Sequence, residues 1–492
     1  MFEKITPEEA GISSDSIRRF ISVLERRSAS THSLLMMRGG KIIAEHYWAP
    51  FGPDFLHRMY SQTKSFVGVA IGLLKDEGKL SLSDKIADHF PEKVERTLPR
   101  YLSEQTIENM LTMTTCGACS NWFTSGNPDR VNYYMNTNSA TRPAGTLWEY
   151  DSAGSQVLSA LVEKLSGMSL LDYLKKKLFN KMGSFKTAQM LKTPNGDTWG
   201  DSAMLCTTRD IASFAQLCMN YGSWEGERLV SEEYMRKATS AVVDNSEHGG
   251  VFGHGYGYQI WRTEQNGFAF VGMGHQFTVC LPERDFIFTI TSDNQGEGSG
   301  WIREIMISSL FDIVVDEMQD TPLPQNEEAE KRLAEATANL TLRSLHGQED
   351  STFRDELSDK TYVCESNPMG ITEFTFHFDG KDSGELRYKN AQGDKVIPFG
   401  VNHNVFGKFP QLGYSDGHGG VRSTDGFMYD DAVSLAWLRD RKLMLYVQII
   451  DRYFGTMTAT FAFKGDEAAA SFTKCAEDFL DTYVGRLTAK KK

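Results

Sequence analysis

Read for the spacing of its apolar residues, the chain opens on a helix followed by a hairpin. Ile17, Phe20, Ile21 and Leu24 recur at helical intervals in "SSDSIRRFISVLERR". "HSLLMMRGGKIIAEHYW" holds two apolar runs around Gly39 and Gly40, the pattern of two strands joined by a turn. The next run, "SFVGVAIGLLKDEGKL", is apolar on nearly every side (Phe66, Val67, Val69, Ile71, Leu73, Leu74) and stops at Gly78, a glycine placed as a helix C-cap. A helix apolar all round is a buried one, so this run predicts a helix through the middle of its domain. A mostly helical region follows to about residue 240, broken by the polar, aromatic-dotted loop "SNWFTSGNPDRVNYYMNTNSATRPAG". Strand patterns then return in "YGYQIWR", "GFAFVGMGHQFTVCL" and, after the turn "PERD", "FIFTITSD"; a helix, "WIREIMISSLFDIVVDEM", closes the set. Strands, then helices, then strands predict an α+β domain over 1–318 whose antiparallel sheet is built from both ends of the segment and flanked by helices.

From 319 to 341 the texture changes to a charged, Pro-containing linker with a helix in it. The remainder, 342–492, is strand-rich: Phe374, Phe376 and Phe378 alternate with Thr375 and His377, and "DGKDSG", "AQGD" and "RDRK" supply turns. This reads as a small antiparallel barrel or sandwich.

Bulk properties narrow the function classes. A chain of 492 residues exceeds one ordinary core, and 40% hydrophobic with 24% charged residues is a globular composition. A net charge of −13 argues against a broad nucleic-acid or anionic-membrane surface. The first twenty residues hold no charged segment followed by an apolar run, and no stretch of about 18 apolar residues occurs, so neither a signal peptide nor a membrane span is expected. Seven cysteines, an odd number scattered along the chain, fit reduced thiols and a cytoplasmic location. Cys116 and Cys119 stand at C-x-x-C spacing, but without a second ligand pair or a βαβ context they read as structural thiols, not a metal or redox site.

The candidate chemistry starts from "RMYSQTKSF", residues 58–66. Ser61 and Lys64, at i and i+3 of a helix start, share a face. Desolvation disfavours a charged lysine, so a neutral or proton-sharing Lys64 could take the serine proton. The helix N-terminus adds free N–H groups where an oxyanion would form. Spacing alone decides nothing, because "SFTK" offers the same pattern at Ser471 and Lys474 within the strand-rich half. Further along, Tyr150 opens another apolar helix in "LWEYDSAGSQVLSALVEKLSG", and a phenol near a lysine can serve as general acid or base. The strand "FVGMGHQF" carries Gly272 and Gly274, which let a ligand or chain approach the backbone.

Taken in order, "TPEEAGIS", "YSQTKSF", "DEGKLSLSDKIADHFPE", "IENMLTMTTC", "RPAGTLWEYDS", "YGYQIW" and "GHQFTVCLPERDFIFTITS" resemble the serine β-lactamase-like superfamily, in its class C β-lactamase, family VIII carboxylesterase and D-aminopeptidase branch. The resemblance covers about residues 5–318. It implies a β-lactamase/transpeptidase-like fold, Ser61 as acyl-accepting nucleophile, Lys64 as its proton partner and Tyr150 as base and later acid. Backbone N–H groups of Ser61 and Gln276 would form the oxyanion hole. Ser152, Gly274, His275 and Trp122 are candidate substrate contacts, and no metal or organic cofactor is implied. The strand-rich half is similar to the lipocalin-like barrels that follow some of these hydrolases.

Two departures redirect the substrate. Where the family has Y-x-N, this chain has Tyr150-Asp151-Ser152; where it has K-T-G or H-x-G, the segment is Met273-Gly274-His275. With no lysine to hold a penicillin carboxylate, the expectation shifts to an esterase or amidase for small neutral acyl compounds. A D-specific aminopeptidase or weak β-lactamase, and a catalytically inactive binding protein, remain as alternatives. The partner is a small acyl substrate, with no nucleic acid or membrane, and a homo-oligomer stays open. "SDN" at 292–294 spells another family motif but follows the last strand, which makes it a strand-end turn.

Overall fold

The computed structural model describes residues 2–119, 125–296, 301–415, 417–419, 426–476 and 480–492. The chain divides into two compact units: Met1–Ser292, Ser299–Thr341 and Gly417–Gly419 form one, and Asp293–Gly298, Leu342–Asp416 and Gly420–Lys492 the other. Among the described residues no helix is long and apolar enough to cross a membrane.

The first unit is an α+β domain on a six-stranded antiparallel sheet, in the order Lys41–Tyr47, Thr31–Arg38, Phe286–Ser292, Gln276–Leu281, Phe268–Gly272, Trp261–Arg262. The sheet is assembled from both ends of the segment, as the sequence pattern predicts. Register follows from alternation. Phe277, Val279, Leu281, Phe286, Phe288 and Ile290 share one buried cluster with Ile17, Phe20, Ile21 and Leu24 of the helix Ser14–Arg26 and with Ile302, Met306 and Leu310 of the closing helix Trp301–Leu310. The intervening residues turn small hydroxyls to the opposite side: Ser33 Oγ lies 2.6 Å from Thr291 Oγ1 and 2.7 Å from Thr208 Oγ1, and Thr278 Oγ1 donates to Gln62 Oε1 at 3.0 Å. A one-residue slip would exchange these two sets, burying hydroxyls in the aromatic cluster, so the register is strongly fixed.

The apolar run after Lys64 forms the helix Thr63–Asp76, buried from Thr63 through Leu74. Gly68 and Gly72 make its depth attainable: a Cβ would stand 2.6 Å from the Tyr258 carbonyl oxygen at Gly68 and 2.4 Å from the Tyr234 ring at Gly72. Gly78, at φ +69°, ends it.

Two sequence expectations are corrected. The segment read as a loop between 120 and 145 contains the helix Arg130–Thr137, hidden by its Asn and Tyr content. Asp129 caps it by accepting from the Asn132 N–H at 2.9 Å, and Val131, Tyr134 and Met135 bury one face. "GFAFVGMGHQFTVCL" is not one strand. Phe268–Gly272 and Gln276–Leu281 are paired with Gln276 opposite Gly272, and Gly274 (φ +76°) and His275 (φ +70°) reverse the chain between them.

The second unit is a β-barrel. From Thr361–Cys364 through Gly393–Val401 and from Met428–Arg439 through Gly485–Lys491 neighbours pair antiparallel, and a parallel pairing of Gly400 with Ser434 and Val401 with Leu435 closes the ring. Phe374, Phe376 and Phe378 point inward against Phe399, Phe461 and Trp437. Closure leaves fewer open edges than a sandwich of the same strands would.

Candidate active site

Ser61 is presented by a turn that the neighbouring strand pins in place. His57–Arg58 pairs with Met204–Cys206, and the Met59 N–H donates to the Met204 carbonyl at 2.8 Å. Tyr60 then takes φ +47°, an unfavourable conformation for an aromatic residue, and the 3-10 turn Tyr60–Gln62 runs straight into Thr63–Asp76. The Ser61 hydroxyl does not cap the helix. Instead it accepts from the Lys64 Nζ at 2.9 Å, while the same Nζ donates to the Asp201 carbonyl at 2.8 Å. Lys64 is buried and Ser61 half-buried, so a polar amine sits at the start of an apolar helix, bonded to a serine that is more exposed than itself.

Tyr150 comes to the same place: the Lys64 Nζ lies 5.0 Å from the centre of its ring. The ring is held from behind by Trp261, stacked at 5.6 Å, with Trp148 next to both. The following Asp151 caps the helix Ser152–Ser166 by accepting from the Gly154 N–H at 2.9 Å, and also accepts from Thr115 Oγ1 at 3.2 Å. Burial pushes its carboxyl up. Asp151 therefore fixes the start of the helix, and Ser152 is its half-buried first residue.

The glycine segment lies against the serine turn. A Cβ at Gly272 would stand 2.4 Å from the Met59 carbonyl oxygen, which brings the hairpin end within reach of Ser61. The Gln276 side chain is committed to the hairpin: its Nε2 donates to the Met273 carbonyl at 2.9 Å and its Oε1 accepts from the Ser292 N–H at 3.0 Å. Ser292 Oγ in turn faces the carbonyls of Gly274 and His275 at 2.7 and 2.9 Å. The serine of "SDN" is thus a brace for the hairpin turn. His275 takes a left-handed φ of +70°, stacks on Phe277 and is pushed down to about 4 by burial and by Arg303. Met273 is 41% exposed. Trp122 lies outside the described residues. "SFTK" lies within the barrel strand Glu467–Ala476.

Three charged residues at this site carry no sequence motif. Asp201 is buried, with its carboxylate Oδ2 3.9 Å from the Lys64 Nζ. Arg58, fully buried, donates to the Ser202 carbonyl at 3.0 Å and Ser202 Oγ at 3.1 Å, its guanidinium between the rings of Tyr60 (4.3 Å) and Trp199 (4.6 Å). Arg130, also buried, is close enough to act on Asp201 electrostatically. A lone acid in "WGDSAML" offers no spacing to read; only an unexplained charge in an apolar stretch marks it.

A family model described as Beta-lactamase matches residues 17–305. Over 246 residues the chain is 26% identical to the 6-aminohexanoate-dimer hydrolase of Paenarthrobacter ureafaciens, covering 47% of this chain and 63% of that protein, less than two thirds of its length. A solved structure from Bacillus anthracis, assigned as a 6-aminohexanoate-dimer hydrolase, aligns with a TM-score of 0.52 at 18% identity, over 66% of this chain and 89% of that one. EstCE1, a hydrolase with promiscuous acyltransferase activity, aligns with a TM-score of 0.50 at 13% identity, over 61% of this chain and 99% of its own. At these identities the structural likeness is one of fold.

Proposed function

The chain belongs to the beta-lactamase family, and from that premise we propose that it is a serine hydrolase that forms an acyl-enzyme on Ser61 and turns over small neutral esters or amides. The observation that carries the reading is the 2.9 Å bond from the buried Lys64 amine to the Ser61 hydroxyl, with the Tyr150 ring 5.0 Å from the same nitrogen. In this reading the Ser61 oxygen bonds to the substrate carbonyl carbon as its proton passes to Tyr150 through the Lys64 contact. The carbonyl oxygen takes the negative charge against the backbone N–H groups of Ser61 and Gln276. Tyr150 returns the proton to the departing alcohol or amine, and a water activated by the same groups then releases the acid.

The preference for neutral acyl groups rests on the hairpin turn. Met273 occupies the place of the usual cation, and His275, pushed down to about 4, is uncharged at neutral pH. An amide is favoured over an ester as the scissile bond by the 26% identity to a hydrolase named for a 6-aminohexanoate dimer, a likeness that bears on the bond cleaved and not on the charge of the acyl group. Hydrolysis of p-nitrophenyl esters and of D- and L-aminoacyl anilides, by wild type and Ser61→Ala, tests the reading and separates the two substrate classes; equal rates in the two proteins would remove it.

A further inference from the structure

Asp201 is the acid among the three buried charged residues at the site that the chemistry of Ser61, Lys64 and Tyr150 does not use. Its carbonyl accepts from Lys64 at 2.8 Å, and any residue could supply that oxygen. The side chain is another matter. Its Oδ2 is 3.9 Å from the Lys64 Nζ, and its Oδ1 is buried with no hydrogen-bond partner among the described residues. An ionised oxygen left without a donor is costly to bury, so a residue kept only to offer a carbonyl would not be an aspartate.

The segment around it is held from several directions. Arg58 clamps the Ser202 carbonyl and hydroxyl, and the Gly200 N–H donates to Gln156 Oε1 at 2.8 Å from the helix Ser152–Ser166. A Cβ at Gly200 would overlap Ser159 at 2.1 Å, so the backbone is pressed onto that helix. The helix that follows Tyr150 and the turn that presents Ser61 therefore both fix where Asp201 stands.

We propose that Asp201 is a positioning residue: its carbonyl and carboxylate together hold the Lys64 amine against Ser61, and the carboxylate's charge sets how well that amine serves the serine. The proposal rests on the serine-hydrolase reading. The charged groups facing the carboxylate are Lys64 from the buried helix, Arg58 from the strand and Arg130 from the helix Arg130–Thr137. Burial pushes Asp201 up to about 6 against the pull of these three cations. When it is ionised, Lys64 has a counter-ion; when it takes up a proton, the repulsion between Lys64 and the two guanidinium groups is no longer offset, and it pushes the amine away from its place against Ser61.

The test is the second-order rate at which a fluorophosphonate labels Ser61, measured in wild type and Asp201→Asn between about pH 5 and pH 8. Wild type should lose rate as the pH falls through about 6. Asp201→Asn should label roughly tenfold more slowly at pH 8 and lack that limb. A variant whose profile superimposes on wild type, or one slowed by a constant factor with the limb intact, overturns the proposal. So does a wild-type profile that is flat over the same range, which needs no variant to fold. Absence of any label on wild-type Ser61 removes the serine-hydrolase reading itself and Asp201's role with it, whereas labelling with coincident profiles removes only the role of Asp201.

Discussion

Gly272 and Met59 touch through their main chains: a Cβ at 272 would stand 2.4 Å from the Met59 carbonyl oxygen, two residues before Ser61. Gly272→Ala therefore forces the hairpin and the serine turn apart by a few tenths of an ångström or more. A displacement of this order is expected to slow acylation by roughly 10–100-fold, with a far-UV spectrum like that of wild type. Labelling kinetics check it, and an unchanged rate would show that the hairpin end does not take part.

Tyr150→Phe retains the stacking on Trp261 and removes only the hydroxyl. The expected result is a loss of about 10²–10⁴ in kcat, the range for a general acid or base, at nearly unchanged thermal stability. Steady-state kinetics beside a melting curve separate this from a packing effect.

Ser292→Ala takes away the hydroxyl that faces the Gly274 and His275 carbonyls. It should cost about 1–2 kcal/mol of unfolding free energy, read from urea titration. The reduction in activity should be smaller than that of Gly272→Ala, because the brace acts on the turn and not on the serine.

Two buried histidines set an acid limit on stability. The Arg58 carbonyl can only accept, so His57 Nδ1 carries the proton toward it at 2.9 Å, and His57 Nε2 accepts from His32 Nδ1 at 2.8 Å. A second proton on His57 would set two N–H groups against each other. Burial pushes His57 down to about 3 from its ordinary 6.5. The folded state thus binds this proton less readily than the unfolded chain, so its contribution is fully present above about pH 6.5 and is lost as the pH falls toward 3. Unfolding free energy should drop by about 2 kcal/mol from this site between pH 7 and pH 5, and His57→Gln should lose correspondingly less of its own stability over that interval. Equal losses would assign the acid limit elsewhere.

Met273, an uncharged residue at the hairpin turn, is 41% exposed. Met273→Lys should raise the rate of acylation by benzylpenicillin about two- to fivefold, the return from one solvent-screened ion pair, and leave ester hydrolysis within about twofold. Stopped-flow acylation of wild type and Met273→Lys measures it.

What the sequence made legible follows the range of the interactions involved. The helix Thr63–Asp76 announces itself because every one of its faces is apolar, and the barrel because Phe374, Phe376 and Phe378 alternate with polar residues. Ser61 and Lys64 are three apart, so one helical turn suffices to join them. The hairpin at Gly274 and His275 was obscured because apolar residues continue on both sides of it, and the reversal depends on two left-handed residues, one of them not glycine. Helix Arg130–Thr137 was obscured by its polar composition, which Asp129 and a buried face override. Asp201 meets Lys64 across 137 residues, and the parallel pair Gly400 and Ser434 closes the barrel between strands that are not sequential neighbours. Contacts of this kind leave no local period, spacing or cap to read.

The central claim, a nucleophile at Ser61, is tested most directly by mass spectrometry of the protein after exposure to a fluorophosphonate. The expected result is a single covalent increment on the peptide that contains Ser61, present in wild type and absent in Ser61→Ala. An unmodified wild type, or the same increment on another peptide, would contradict the account.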